Sequence, residues 1–257
     1  MTVNDPATLR TVPAESTPLD PGRIAALTAK EWDRFTAQTP GSAKAYERAL
    51  KAMPMGVPSS FQHWDPYPIS IVSAKGAWLQ DVDDRPLLDL SMGFGAMLVG
   101  HLNPVVMEAV AKALETGTLF VTPSPTTTAV AERFQRRFGL GRVRFANSGT
   151  EATMYAVRTA RAYTNRKAII KIEGGYHGGY DGLAVSVKPA VAEAGPEDAP
   201  IPVTPFDVEA GTVYVVPYNN LERLHQLLDE HKGEIAAVVM EPVLENISIV
   251  LPDAGYL

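Results

Sequence analysis

The chain has 257 residues, 46% of them hydrophobic and 20% charged, the composition of an ordinary globular protein long enough to bury a sizeable core. A net charge of −6 argues against nucleic acid and anionic membrane as partners, because both select basic surfaces. With no cysteine, disulfides, thiolate metal sites and thiol nucleophiles are excluded.

Residues 1–22, rich in Pro, Thr and Asp, carry no apolar run and read as a flexible leader, not a signal peptide. Helical periodicity is expected over residues 24–35 and again over 43–53. After Pro54 the pattern changes to short strand-like runs in "PISIVSAKGAWLQDVDDRPLLDLS". There β-branched and aromatic residues alternate with polar ones, and Asp83-Asp84-Arg85-Pro86 supplies a turn. A small antiparallel hairpin or three-stranded unit is expected, so that residues 23–92 form an N-terminal segment of helices and strands.

From Gly100 the pattern is α/β. "HLNPVVMEAVAKALETG" predicts a helix with Asn103 as N-cap, Pro104 in its first turn and Gly117 as its stop. A second helix is expected over 127–138, ending at Gly139, then a strand over 143–146, a helix opening near Ser148, and a strand in "AIIKIEG". Later a helix over 221–231, capped by Asn219 or Asn220, leads into a strand in "IAAVVMEPV". Strands alternating with helices imply a mostly parallel sheet covered on both faces. The longest apolar stretch, residues 235–240, is far too short to span a bilayer, so a soluble, cytoplasmic protein is expected. Residues 188–211 hold five prolines and several acids, and read as a lid or a disordered segment.

Three polar clusters follow strands and so fall at one rim of the sheet, where α/β folds bind ligands. Asn147-Ser148-Gly149-Thr150 opens a helix, whose free N–H groups suit a phosphate; Ser148 with Glu151 also matches a simple capping box. No Lys follows the glycine and no dinucleotide fingerprint is present, which disfavours a nucleotide site. In "EGGYHGGYDG", four glycines flank Tyr176 and His177 and would present a ring to a flat ligand, or simply form a turn around a packed tyrosine. Glu241, in "EPVLEN", serves either as a structural hydrogen-bond partner or as an acid/base group.

Taken in order, "RFANSGTEATMYAVRTARAYTNRKAIIKIEGGYHGGYDG", "DVDDRPLLDL", "GFGAMLVGHLNP", "VPYNN" and "EPVLEN" resemble class III aminotransferases of fold type I. The resemblance is greatest to the glutamate-1-semialdehyde aminomutase branch and its β-amino-acid transaminase relatives, and it runs from about Ala43 to the last residue. It implies an α/β fold with a mostly parallel sheet and helices on both faces, residues 93–257 forming the first part of a domain that binds pyridoxal 5'-phosphate. It implies that Ser148, Gly149 and Thr150 hold the cofactor phosphate, that Tyr176 stacks on its ring with His177 in support, and that Glu241 and Asn246 lie near the ring substituents. Phe94 would wall the substrate pocket, to which Gln62 and His63 are also assigned, although His63 reads more readily as a surface histidine.

The activity implied is amino transfer between an amino acid or amine and a carbonyl acceptor, in a homodimer; an aminomutase or racemase would use the same site. Two departures accompany the resemblance. The family's pyridine-pairing aspartate and cofactor-bearing lysine are expected downstream of Leu257, and neither Lys171 nor Lys188 stands in the matching context. The chain is therefore expected to be the N-terminal part of a longer enzyme, with no catalytic residue of its own, or else a non-catalytic half that needs a partner. Secondly, "GVPSSFQHW" has no arginine where relatives pair one with a substrate carboxylate, and Ser, Gln or His does not replace a bidentate guanidinium.

Overall fold

The computed structural model describes residues 20–204 and 211–257. The leader assigned to residues 1–22 lies outside the described residues as far as residue 19; Pro21 and Gly22 are already helical. The chain divides into two compact units with a boundary between Thr122 and Pro123.

In the first unit, α1 (Pro21–Gln38) starts where Asp20 Oδ1 accepts from the Gly22 amide at 2.9 Å. The following helix, α2 (Pro40–Ala49), has no side-chain bond from its own N-cap, Thr39. Asp83 caps it from a distance of 42 residues in the chain, its carboxylate accepting from Gly41 N at 2.5 Å, and also from Ser42 N at 3.0 Å and Ser42 Oγ at 2.9 Å. That aspartate belongs to the turn between β2 (Trp78–Asp81) and β3 (Pro86–Leu88), which with β1 (Ile71–Lys75) form an antiparallel sheet in the order β1-β2-β3. Asp81 is fully buried, and burial raises its pKa. Hydrogen bonds from the Arg85 amide and guanidinium (Nε to Oδ2 2.8 Å), with the Arg85 charge, outweigh this and hold it below the ordinary aspartate range. The small sheet is thus tied to the start of α2 through the Asp83 carboxylate.

The first unit ends with α3 (Pro104–Leu114), capped as expected by Asn103, whose Oδ1 accepts from Val105 N at 3.1 Å. The helix stops at Leu114 and not at Gly117: Glu115 keeps right-handed backbone geometry, and the positive φ of Gly117 falls in the turn beyond. No residue of α3 is buried, and Leu90, Leu98, Leu119 and Val121 nearby are almost wholly exposed.

In the second unit α4 (Pro125–Phe138) is capped by Ser124 and ended by Gly139 in the left-handed region, where a residue without Cβ sits without strain. The strand expected over 143–146 does not form: these residues pair with no strand and are largely exposed. Phe145 packs on Phe134 of α4 instead, at 6.2 Å between ring centroids. An apolar run makes a strand only where a neighbour accepts its hydrogen bonds, and the described residues offer none here.

The parallel sheet has the order β5-β4-β6, with β4 (Ala168–Ile172) central between β5 (Val213–Val216) and β6 (Ile235–Val239). Its two faces follow the period of two along each strand. Ala168, Ile170, Ile172 and Val216 pack with Leu224 and Leu227 of α6 (Leu221–Glu230), while Ile169, Val213 and Val215 pack with Val157 of α5 (Gly149–Thr164). Helices therefore cover both faces, as the alternation of elements predicted. The cap of α6 is Asn220, which accepts from Arg223 N at 2.9 Å; Asn219, at φ 63°, binds Leu251 O and Asp253 N. Of residues 188–211, those from 205 to 210 lie outside the described residues. The described part folds back on Ser186, which donates its amide to Val203 O at 2.7 Å.

Candidate functional site

The parallel strands end together at Ile172, Val216 and Val239, and the polar clusters follow two of these ends. Ser148 is the N-cap of α5, its Oγ accepting from Glu151 N at 3.1 Å, while Glu151 Oε2 accepts from Asn147 N at 2.6 Å. The Ser148 half of the capping box is thus realised, while Glu151 reaches one residue further back to Asn147 N, and the cradle stays open. The amides of Gly149 and Thr150 donate to no partner among the described residues, and the Ser148 hydroxyl keeps its proton to donate. A Cβ at Gly149 would meet nothing within 4 Å, so open space faces these donors.

The glycine-rich loop is bolted to that helix start. Thr150 Oγ1 accepts from Gly179 N at 3.2 Å, and Thr153 Oγ1 donates to the His177 carbonyl at 2.6 Å. Gly178, at φ 97°, lies so close that an added Cβ would stand 2.5 Å from Thr150 Oγ1 and 2.7 Å from Thr150 Cα. Tyr176 projects from this loop with its ring half exposed. His177 turns inward: it is buried, and its Nε2 has no hydrogen-bond partner among the described residues. Burial first, and the Lys171 charge second, push its pKa below the ordinary histidine range, so the ring is neutral near pH 7.

Glu241, two residues past β6, joins the third cluster to the second. Its Oε1 accepts from Tyr176 N at 2.8 Å and its Oε2 from Glu245 N at 3.0 Å. Asn246 commits both Nδ2 protons to carbonyls, those of Gly174 at 3.0 Å and Val187 at 3.1 Å, which leaves only Oδ1 free as an acceptor. Ser148, Gly149, Thr150, Tyr176, His177, Glu241 and Asn246 therefore converge in one connected rim.

Phe94, Gln62 and His63 belong to the first unit. Phe94, at φ 53° and almost wholly exposed, meets Phe61 edge-on at 5.5 Å; His63 Nδ1 lies 3.5 Å from Tyr46 Oη, and Gln62 is exposed on a short turn. The sequence alone did not single out Thr153 or Glu245, and it excluded Lys171 as the cofactor-bearing lysine without giving it another role, although a lysine in the middle of the buried strand "AIIKI" is itself a signal. Among the described residues, no group of three or more His, Cys, Asp or Glu side chains is placed to hold a metal ion, and no helix is long and apolar enough to cross a membrane.

Residues 60–257 match the family model "Aminotransferase class-III". The chain is 39% identical over 218 residues to a glutamate-1-semialdehyde 2,1-aminomutase of Methanocella arvoryzae, a match covering 84% of this chain and 50% of that protein. Among solved structures it resembles a glutamate-1-semialdehyde aminomutase from Pseudomonas aeruginosa PAO1 (TM-score 0.81, 28% identity, 93% of this chain and 52% of that one). It also resembles a transaminase with PLP bound (TM-score 0.78, 34% identity, 85% and 51%). The chain thus spans about half the length of the curated relatives it matches. A parallel sheet with helices on both faces, the ordered motifs along its rim and the family match over residues 60–257 lead to one conclusion: the chain belongs to the class III aminotransferases of fold type I.

Proposed function

We propose that the chain forms part of a pyridoxal-phosphate-dependent aminotransferase that moves an amino group between an amino acid or amine and a carbonyl acceptor. The observation that carries this reading is the open cradle at the start of α5, two unpaired amides and a hydroxyl beside a glycine with free space, joined by direct bonds to the loop that presents Tyr176. Its residues suit the cofactor: the helix start takes the phosphate, and the half-exposed Tyr176 ring covers the flat face. When bound, pyridoxal phosphate supplies the electron sink on which amino transfer depends. The chain's own part is binding and orientation. Glu241 holds the Tyr176 amide, Asn246 fixes the loop carbonyl at Gly174 and offers Oδ1 toward the ring substituents, and His177 backs the loop as a neutral ring.

Residues 93–257 are then the first part of the cofactor domain, and the lysine and aspartate that complete it lie outside these 257 residues. Phe94, Gln62 and His63 face the substrate in this reading. The lack of arginine in residues 56–64 favours a donor less acidic than glutamate-1-semialdehyde. An aminomutase is the second reading, supported by the identity to the archaeal aminomutase. We further propose that the protein acts as a cytoplasmic homodimer. The exposed apolar run through Leu90, Phe94, Leu98, Val105, Leu119 and Val121 supports a second copy as its cover.

The reading is tested with Tyr176→Ala in the polypeptide as its gene encodes it. Loss of the ring is expected to weaken cofactor retention on dialysis by about tenfold, with little change in thermal stability because the side chain is half exposed. Unchanged retention removes Tyr176 from the site.

A further inference from the structure

Lys171 lies on the central strand with none of its surface exposed, and its Nζ donates to the Ile172 carbonyl at 3.0 Å. That carbonyl also accepts from Gly175 N at 3.2 Å, which closes the turn leading out of β4 into the glycine-rich loop. Gly175 marks where the neighbours meet. A Cβ added there would lie 3.2 Å from Ile172 O, 3.2 Å from His177 Nε2 and 3.5 Å from Glu241 Oε1. The turn carbonyl, the buried imidazole and the carboxylate that holds Tyr176 therefore surround a single residue, and the lysine reaches that group through its bond to the same carbonyl. Glu173 Oε1 is also buried without a partner among the described residues, and the Glu173 and Glu241 carboxyl groups both act on Lys171, the one cationic side chain named among these neighbours.

We propose that Lys171 is a positioning residue: from inside the sheet its ammonium balances the Glu241 carboxylate and, through it, fixes the loop that carries Tyr176. No ion pair within 4.0 Å joins Lys171 to a carboxylate among the described residues, so the effect acts through the poorly screened interior and not by contact. Burial pushes the lysine pKa down to about 8 and the Glu241 and Glu173 charges oppose that fall, so at neutral pH the ammonium persists. Glu241, which accepts from the Tyr176 and Glu245 amides, is the group through which that charge reaches the loop. Full burial on the central strand keeps the Lys171 amine away from a ligand at the rim, which sets it apart from a covalent role there.

The inference rests on the aminotransferase reading only for the purpose of the loop, and its test does not use the cofactor. Hydrogen exchange of the peptides containing Tyr176 and Glu245 is measured, in the absence of cofactor, for the gene-encoded polypeptide and for Lys171→Met, Glu241→Gln and the double variant. Lys171→Met is expected to speed exchange in both peptides by about tenfold or more, the scale of a lost charge-assisted hydrogen bond. Because the lysine acts through Glu241, the double variant is expected to exchange no faster than Glu241→Gln alone. Should Lys171→Met fail to fold, Lys171→Gln, which keeps a donor for Ile172 O without the charge, carries the same comparison and is expected to show the same loosening. Unchanged exchange in the lysine variant, or effects of the two substitutions that multiply, overturns the proposal. Weak cofactor binding with normal loop protection in the unsubstituted protein would instead count against the aminotransferase reading and leave the positioning role intact.

Discussion

Gly178→Ala is expected to destabilise the second unit by about 2–5 kcal/mol. A positive φ costs an L-residue about 1–2 kcal/mol, and forcing a methyl into filled space adds about 1–3 kcal/mol. The methyl would meet Thr150 Cα at 2.7 Å, which is backbone at the first turn of α5 and has no rotamer through which to retreat. Relief requires the loop and the helix start to part, and that breaks the bonds from Gly179 N to Thr150 Oγ1 and from Thr153 Oγ1 to the His177 carbonyl. Gly179→Ala is the control: a Cβ there meets nothing within 4 Å, and φ lies outside the left-handed region. Thermal unfolding of the pair checks the account, with equal midpoints contradicting the close seating of loop on helix.

Gly149→Ala is expected to have the opposite signature. At the first helical position alanine is favoured over glycine by up to about 1 kcal/mol, and its methyl would touch no protein atom within 4 Å. Stability should therefore hold or rise slightly. Affinity for pyridoxal phosphate should fall by about ten- to a hundredfold, because the methyl fills the space in front of the Gly149 and Thr150 amides and removes one or more charge-assisted bonds. Pyridoxal without its phosphate should lose far less. Equilibrium dialysis with both ligands separates the cases, and an equal loss for the two would place the phosphate elsewhere.

The elements most legible in the sequence were those whose stop and start signals are local. Asn103 with Pro104, and Gly139 after residues 127–138, mark helix ends through interactions within one turn, and the structure keeps them. The short apolar run in "AIIKI" likewise marked a strand, which the structure buries on both faces. What failed depended on partners distant in the chain. Residues 143–146 have strand-like composition and no neighbour to pair with. β5 (Val213–Val216) was passed over as a mere motif, although "TVYVVP" between Gly211 and Pro217 alternates as a strand should.

Two of the rim's clusters, those at 173–182 and 241–246, were legible as residue types after strand ends, whereas the cluster at 147–150 follows no strand among the described residues. The rim's wiring was not legible. That Glu241 would reach 65 residues back to the Tyr176 amide, or that Asp83 would cap a helix 42 residues earlier, depends on tertiary placement that no local spacing encodes. The same holds for Asn246, whose amide protons serve the protein's own carbonyls at Gly174 and Val187.

The central claim, that this rim cradles pyridoxal phosphate in an aminotransferase, is tested most directly by intact mass spectrometry. The gene-encoded polypeptide is loaded with the cofactor and reduced with borohydride. A single pyridoxyl adduct on a lysine outside these 257 residues, lost together with cofactor absorbance in Gly149→Ala, is the predicted result. An unmodified polypeptide that retains no cofactor would contradict it and would leave the chain with the family's fold and none of its chemistry.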